Sequence, residues 1–205
     1  RFLGRNYTVE ASIGHIRDLP QGTKEVPEKF KGEDWAYLGV NVNDGFQPVY
    51  IIPAAKKQQV TKLRNAMKEA DNLYLATDED REGEAISWHL CQVLQPKVPY
   101  QRLVFHEITE EAISEALSHP RRIDEALVRA QETRRILDRL YGFDVSQLLW
   151  KKVGRGLSAG RVQSVSVRLI VDRERERIAF HSAEYWDLDA LFATHAEETF
   201  RATLV

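Results

Sequence analysis

Residues 73–90 have the sequence LYLATDEDREGEAISWHL, which predicts a strand, an acidic turn and a helix in succession. The apolar run at residues 72–78 predicts a strand that ends in a cluster of acids. Residues 82–94 then repeat apolar side chains at helical spacing, and Gly83 allows a tight turn between the two elements. Ligands bind at the carboxyl ends of strands in open α/β sheets, so the acids lie where a site is expected.

The neighbouring segments extend this pattern in both directions. Apolar runs predict strands at residues 7–12, 48–53 and 101–107, and helical spacing predicts a helix at residues 54–70. Thr109, followed by two glutamates, predicts the N-cap of a further helix. Strands that alternate with helices of this length predict an α/β fold with a parallel sheet of βαβ units.

Two other parts of the chain differ in character. Residues 19–47 are rich in Gly and Pro and are predicted to form a surface excursion. The second half is predicted to be helical, with four features: a helix over residues 123–142 ended by Gly142, a short helix SQLLWKKV, a Gly-rich connection at 153–160, and a helix from a Ser158 cap to about Phe180. The last residues alternate like the start of a β-rich unit.

Composition excludes several classes of protein. The chain has 205 residues, a formal net charge of −2 and 43% hydrophobic residues, which is typical of a globular domain and not of a disordered or collagen-like chain. No apolar stretch is long enough to span a membrane. A single cysteine, Cys91, excludes an internal disulfide and predicts a reducing cytoplasm. Because the sequence does not begin with Met, we expect a fragment of a longer protein.

Charge is unevenly distributed along the chain. Residues 68–115 hold eleven acids and four bases, whereas residues 134–168 hold eight bases and two acids. Carboxylate clusters suit a hard cation and basic stretches suit phosphate, so the pattern favours a metal site beside a nucleic-acid backbone. Two solvated faces of opposite sign are the simpler alternative.

The acidic motif places Asp78, Asp80 and Glu82 two residues apart at the end of a predicted strand. In an extended chain, alternate side chains point the same way, so Asp78 and Asp80 can converge on one cation. Mg²⁺ takes oxygen ligands and keeps several waters, so two carboxylates suffice to hold it. The alternative is an acid-rich helix N-terminus stabilised by the helix dipole.

The basic motif GLSAGRVQS (156–164) places small residues at a predicted helix start. Backbone N–H groups of Ser158, Ala159 and Gly160 can approach a phosphate there, and Arg161 adds a bidentate donor. No Lys-Ser/Thr pair follows at P-loop spacing, so binding of a nucleoside triphosphate is not indicated. A simple Ser cap with helix packing is the alternative.

Four other residues are candidate functional residues, and each also has a simple structural explanation. Arg134 lies four residues before Asp138, and a helix-surface ion pair explains both. Trp150, next to two lysines, can stack a base of single-stranded nucleic acid, or it can be half-buried core. His15 follows a glycine in a predicted loop, and a structural role is the simpler interpretation.

Several motifs together resemble one family, the type IA DNA topoisomerases, and in particular the bacterial topoisomerase I type. The motifs are ASIGHIRDLP, YLATDEDREGEAISWHL, VFHEIT, AQETRRILDRLYGF, LLWKKV and LSAGRVQSV, in the family's order. The resemblance covers nearly the whole chain. The acidic motif alone also fits other Toprim proteins, such as primases and some nucleases, and LSAGRVQSV selects the topoisomerases.

The resemblance implies a domain organisation and an activity. Residues 1–122 resemble the Toprim domain, residues 123–182 the helical domain of the single-strand groove, and residues 183–205 the start of the β-rich arch. Such enzymes are ATP-independent isomerases that relax negatively supercoiled DNA through a 5′-phosphotyrosine, strand passage and resealing. The implied cofactor is Mg²⁺. The implied partner is single-stranded and negatively supercoiled DNA, and neither a membrane nor a nucleoside triphosphate is implied. The resemblance also implies a monomer that acts in the cytoplasm, at the nucleoid.

The resemblance also implies site residues. Asp78 and Asp80 match the metal-binding aspartates, and Glu82 matches the third, supporting acid. Phe143 stands where many relatives have Tyr, so stacking is implied there but not a hydrogen bond. The positions that match DNA contacts are His15, Arg134, Arg135, Asp138, Phe143, Trp150, Ser158, Ala159, Gly160, Arg161, Val162 and Gln163.

Two parts of the family's active site have no match in this sequence. The family's Toprim glutamate is expected on a strand before the first residue, and none of the seven tyrosines has the arginine–threonine context of the nucleophile. The chain by itself is therefore expected to be inactive. Alternatives are a decatenating relative, a Toprim-type metal-dependent nuclease or primase, and a non-enzymatic DNA-binding module.

Overall fold

The computed structural model describes residues 2–204, which form two compact units. The first unit extends to Arg161 and the second begins at Val162. The helices and strands, in chain order, are β1 (Val40–Asn41), β2 (Gln47–Pro48), α1 (Lys57–Met67), β3 (Leu73–Leu75), α2 (Arg81–Leu94), β4 (Tyr100–Arg102), α3 (Glu110–Ser118), α4 (Glu125–Lys152), α5 (Arg161–Ala179), β5 (Asp189–Ala193) and β6 (Thr199–Thr203).

The centre of the first unit is a βαβ unit in which β3 and β4 are parallel and α2 connects them. Leu73 pairs with Tyr100 and Leu75 with Arg102. The inner stripes of α1 and α2 pack together beside β3, with Val60, Leu90 and Val93 each no more than 8% exposed. The expected α/β class and the apolar stripes of both helices are therefore confirmed.

Two predicted strands are not formed as expected. Residues 7–12 form no strand, because no described segment pairs with their backbone; the segment is held to α1 by side chains instead, with Lys62 2.6 Å from Glu10. Residues 48–53 contribute only the end of β2 and a single bridge between Ile51 and Asp18.

Residues 19–47 consist mostly of exposed turns, as their composition predicts, but part of the segment also belongs to the core. They contain two antiparallel residues of β1 paired to β2, and they bury Leu19, Trp35, Leu38 and Val40. Leu19, Leu38 and Val40 form a second hydrophobic cluster, onto which Ile136, Leu140 and Phe143 of α4 pack. Each large apolar side chain buried in this way contributes about 1.5–3 kcal/mol, so these contacts hold the turns against α4.

Helix α4 is one continuous helix, so the predicted break at Gly142 and the separate short helix after it are wrong. A glycine within a helix costs only about 1 kcal/mol relative to alanine. The flanking residues Leu140 and Phe143 pack on the second cluster, and this packing offsets that cost. Asp124 is the N-cap of the helix, and its side chain accepts from the amides of Ala126 and Leu127.

The second unit contains most of α5 and a hairpin of β5 and β6. Asp189 pairs with Thr203 and Ala193 with Thr199, and the rings of Phe192 and Phe200 stack across the strands at 5.3 Å. The expected β-rich segment at the end of the chain is therefore confirmed. Within residues 2–204, no helix is both long and apolar enough to cross a membrane.

Candidate nucleic-acid and metal site

The acidic loop lies directly after β3, as the sequence predicts. Asp80 is the N-cap of α2, and its Oδ1 accepts from the Gly83 amide at 2.7 Å. A Cβ on Gly83 would lie 2.0 Å from the Asp78 carbonyl oxygen, so only glycine lets the loop close onto the helix. The loop therefore places Asp78 and Asp80 on the surface at the carboxyl end of β3.

Arg102, at the end of β4, supports this loop from below. The side chain is completely buried, and its Nη2 donates to the Asp78 carbonyl oxygen at 2.5 Å. Its Nη1 donates to the carbonyl oxygens of Leu75 (2.9 Å) and Leu103 (2.6 Å). One guanidinium thus ties both strand ends to the acidic loop.

Glu84, on the first turn of α2, neutralises that buried guanidinium. It is also fully buried, and its Oε1 accepts from Arg102 Nε at 2.9 Å and from Arg121 Nη2 at 2.7 Å. Its Oε2 accepts from the Asp124 amide at 2.9 Å, directly before α4 begins. Burial by itself raises the pKa of the Glu84 carboxyl, but the bonds from Arg121 and the Asp124 amide, with the charges of both arginines, outweigh burial and lower it.

Glu82 joins α2 to the loop of His15 and to α4. Its Oε1 lies 2.7 Å from His15 Nε2, and its Oε2 accepts from Gln131 Nε2 at 3.3 Å. These three residues line a cavity of about 200 Å³, which Asp18 and Arg135 also line. The structure therefore brings together His15, Glu82 and Arg135, three of the residues predicted to form the site.

Arg17 lines this cavity and is surrounded by aromatic rings. The Arg17 guanidinium lies 4.9 Å from the ring centre of Tyr50 and 5.0 Å from that of Trp88. Its Nε donates to His89 Nδ1 at 2.9 Å, so the ring proton of His89 is on Nε2. Burial, with the nearby charge of Arg17 and the ring of His15, lowers the pKa of His89 to about 3. His89 is therefore neutral, and its ring packs edge-on against His15 at 5.4 Å.

The acids fit a divalent cation in part. The carboxylate of Asp78 and the Oδ2 of Asp80 make no hydrogen bond or ion pair with described residues, and both side chains are exposed, so they offer the hard oxygen ligands that Mg²⁺ prefers. Among residues 2–204, no three His, Cys, Asp or Glu side chains converge as a metal centre would require. The set of Asp78, Asp80 and Glu82 therefore stays a prediction.

The basic residues of α4 lie close to the start of α5. Asp138 accepts from Arg161 Nε at 2.9 Å and lies 3.8 Å from Arg134, so the predicted ion pair within α4 is present and is shared with the basic motif. Arg135 forms an ion pair with Asp18, which lies three residues after His15. The Ala159 amide donates to Ser146 Oγ at 3.0 Å, which fixes the small-residue segment against α4.

The remaining predicted residues lie along the same helix or beyond it. Phe143 is half-buried, with the Arg139 guanidinium 5.0 Å from its ring centre. Trp150 is 49% exposed and donates from Nε1 to the Leu157 carbonyl at 2.5 Å. Ser158 and Gly160 precede α5 in the first unit, whereas Val162 and Gln163 belong to the second.

Sequence reasoning missed the residues that hold the site in place. Glu84 is hydrogen-bonded to Arg102, 18 residues later, and to Arg121, 37 residues later. No local sequence pattern identifies these residues as partners. Gln131 and Arg17 were also missed. The one available signal was that Glu84 lies at helical spacing from Trp88 and Cys91, on a side of α2 where an unpaired charge would be costly.

Comparison with known proteins finds two family models that match successive parts of the chain. Residues 1–108 match the family model described as the Toprim domain, and residues 122–203 match the one described as DNA topoisomerase. The chain belongs to the type IA DNA topoisomerase family. The second match includes the basic stretch at residues 134–168, and it separates this family from Toprim primases and nucleases.

Similar proteins support that assignment along almost the entire chain. DNA topoisomerase 1 of Streptomyces coelicolor is 65% identical over 193 residues, which are 94% of this chain and 20% of that protein. DNA topoisomerase 1 of Synechococcus elongatus is 59% identical over 203 residues, 99% of this chain and 23% of that protein. The full-length topoisomerase I structure from Thermotoga maritima matches with a TM-score of 0.70 and 40% identity, covering 93% of this chain and 29% of that chain. The chain thus spans about a fifth of the length of these curated relatives.

Proposed function

We propose that this chain supplies the metal-binding acids and part of the single-strand groove of a type IA DNA topoisomerase that relaxes negatively supercoiled DNA. The observation that carries the proposal is the contact network between the two halves. Glu82 of the acidic motif lines one cavity with Gln131 and Arg135 of α4, and it contacts His15 and Gln131 there. A DNA strand held along α4 therefore passes beside the acids.

In the proposed reaction, a tyrosine hydroxyl attacks a backbone phosphorus, forms a 5′-phosphotyrosine and releases a 3′-hydroxyl. Resealing reverses these bond changes after strand passage, so no nucleoside triphosphate is consumed. None of the seven tyrosines of this chain has the sequence context of that nucleophile. The role proposed for this chain is to bind and orient the strand, as a monomer acting on DNA in the cytoplasm.

Asp78 and Asp80 are the residues proposed to hold Mg²⁺, with Glu82 as the supporting acid. When bound, such an ion offsets the negative charge of the phosphates beside the acids. Arg102 fixes the Asp78 backbone and Gly83 allows the tight turn, so the fold holds the loop that carries both carboxylates. Glu82, held by His15 and Gln131, is proposed to orient these groups toward the strand.

Residues of α4 and of the basic motif are proposed to hold the backbone phosphates. Arg134 and Arg161 both face Asp138, and each side chain keeps about 40% of its surface exposed, so their remaining N–H groups can donate to a phosphate. Asp138 holds the two guanidinium groups together. His15, Arg135, Phe143, Trp150 and the segment from Ser158 to Gln163 are proposed to complete the path of the strand.

The test is the binding of a fluorescein-labelled single-stranded oligonucleotide, measured by anisotropy over a range of salt concentrations. The variant is Arg161→Ala, and the matched control is Arg173→Ala, an exposed arginine of α5 that pairs with Glu176. We expect Arg161→Ala to weaken binding and to reduce the slope of log K against log salt by about one unit or less, while the control leaves both unchanged. Equal binding and equal slopes for all three proteins would overturn the proposed groove.

A second candidate, a Toprim nuclease, is favoured only by the exposed carboxylates of Asp78 and Asp80. Two such acids with a metal ion can in principle activate water. The match of the basic half to the DNA topoisomerase model counts against it.

A further inference from the structure

Tyr37 is an exposed tyrosine on a fixed stretch of backbone. Its neighbours Trp35, Ala36 and Leu38 are at most 5% exposed, whereas Tyr37 itself is 40% exposed. The Leu38 amide donates to the Trp35 carbonyl at 2.9 Å, and the Gly39 amide donates to the Ala36 carbonyl at 3.1 Å. The backbone on both sides of Tyr37 is therefore held, and ordering its ring on a ligand costs little conformational entropy, since only two torsions are free.

The ring of Tyr37 extends an aromatic and cationic row on α4. Its centre lies 6.3 Å from that of Phe143, with the two planes tilted by 44°, which is within the range of aromatic pairs. On α4, the Arg139 guanidinium lies 5.0 Å from the centre of the Phe143 ring. Arg139 is fixed in turn, because its Nη1 donates to the Pro20 carbonyl at 2.8 Å. The row therefore consists of a held cation and two rings.

The hydroxyl of Tyr37 contributes nothing to this arrangement. It makes no hydrogen bond with any residue between 2 and 204, so the ring is the part of the side chain that the fold positions. Flat exposed rings beside basic side chains are how proteins bind unpaired bases without reading their sequence. Arg139, over the ring of Phe143, is the basic side chain beside these rings.

We propose that Tyr37 is a nucleobase-stacking residue, which together with Phe143 forms a two-ring platform for an unpaired base of single-stranded DNA. This inference rests on the proposed function, because it takes the strand to run along α4. It adds a contact from residues 35–38, which sequence patterns assign to a surface excursion and not to the groove. The platform binds the face of any base, so it adds affinity and not sequence preference.

The experiment compares Tyr37→Ala, Tyr37→Phe and Phe46→Ala in the anisotropy assay, with an ordinary 12-nucleotide strand and a strand of the same length that lacks bases. Phe46 is the matched control, since it is an exposed aromatic residue of the same region with no ring contact to α4. We expect Tyr37→Ala to weaken binding of the ordinary strand about fivefold to tenfold. Tyr37→Phe restores that affinity, and Phe46→Ala does not reduce it.

Two further readouts separate stacking from a structural role. The salt slope stays that of the parent in Tyr37→Ala, because no phosphate contact is removed. The strand without bases binds the parent and Tyr37→Ala equally. If Tyr37→Ala binds the ordinary strand as tightly as the parent, or if it loses affinity equally for both strands, the inference is wrong while the groove stands. If the parent binds neither strand, the proposed function fails and the inference fails with it.

Discussion

Replacing Glu84 by glutamine tests whether the buried charges beneath the acidic loop support it. Glu84→Gln keeps the shape of the side chain but leaves Arg102, which is fully buried, without a carboxylate. Removing one partner of a buried ion pair costs about 3–5 kcal/mol, because the other charge stays desolvated. We expect the free energy of unfolding of the first unit to fall by about 3 kcal/mol, since the glutamine oxygen still accepts one hydrogen bond.

The measurement is urea unfolding followed by the fluorescence of Trp35 and Trp88, in a background with Trp150→Phe and Trp186→Phe. Glu79→Gln is the matched control, because Glu79 is an exposed acid of the same loop and pairs with exposed His106. We expect that control to change the free energy of unfolding by less than about 0.5 kcal/mol.

The pH dependence provides an independent check on the same network. Because the pKa of Glu84 is lowered in the folded protein, its stabilisation is complete above the unfolded value of about 4.3 and is lost as pH falls through the folded value. The difference between parent and Glu84→Gln should therefore shrink below about pH 4.3. A loss of less than about 1 kcal/mol at neutral pH, or a difference that does not shrink in acid, would refute the reasoning.

Three further predictions concern single residues of the first unit. Gly83→Ala should destabilise it by about 1–3 kcal/mol or more in urea, because the new Cβ meets the Asp78 carbonyl at 2.0 Å, whereas Gly22→Ala, with open space around it, should be neutral within about 0.5 kcal/mol. The pKa of His89 is lowered to about 3, so the parent should lose free energy of unfolding as pH falls from about 6.5 toward that value. His89→Gln should remove this pH dependence, and an unchanged slope of the free energy of unfolding against pH in the variant would contradict the prediction. Burial raises the pKa of Cys91 to about 11, so iodoacetamide at pH 8 should alkylate the folded chain about a hundredfold more slowly than the chain in urea. The rates are measured by mass spectrometry, and equal rates would show that the thiol is accessible.

The sequence predicts the parts of this fold that depend on local pattern. The apolar stripes of α1 and α2, the Thr109 cap and the position of Asp78 and Asp80 after β3 all follow from spacing between near neighbours. Gly142 was misjudged because its helix is stabilised by packing from residues more than a hundred positions earlier, including Leu19 and Leu38. Local propensity contains no information about such contacts.

The candidate site divides in the same way. Motif positions such as His15, Glu82 and Arg135 were identified from the sequence and do meet around one cavity. Their supports were not identified, because Arg102 and Arg17 are charged residues whose burial depends on partners at distant positions, Glu84 and His89. A buried charge contradicts the usual hydrophobic pattern, so only the folded arrangement shows why it is tolerated.

The most direct test of the account is a cleavage assay with this chain alone. The chain is proposed to carry binding residues and metal-binding acids but no nucleophile. We therefore expect no nicks, no relaxed topoisomers and no protein-linked 5′ ends when it is incubated with Mg²⁺ and either labelled single-stranded DNA or supercoiled plasmid. The parent must bind the single strand under the same conditions, which the anisotropy assay establishes. Steady Mg²⁺-dependent nicking that Asp78→Ala abolishes would contradict the account and show that the acids themselves direct hydrolysis.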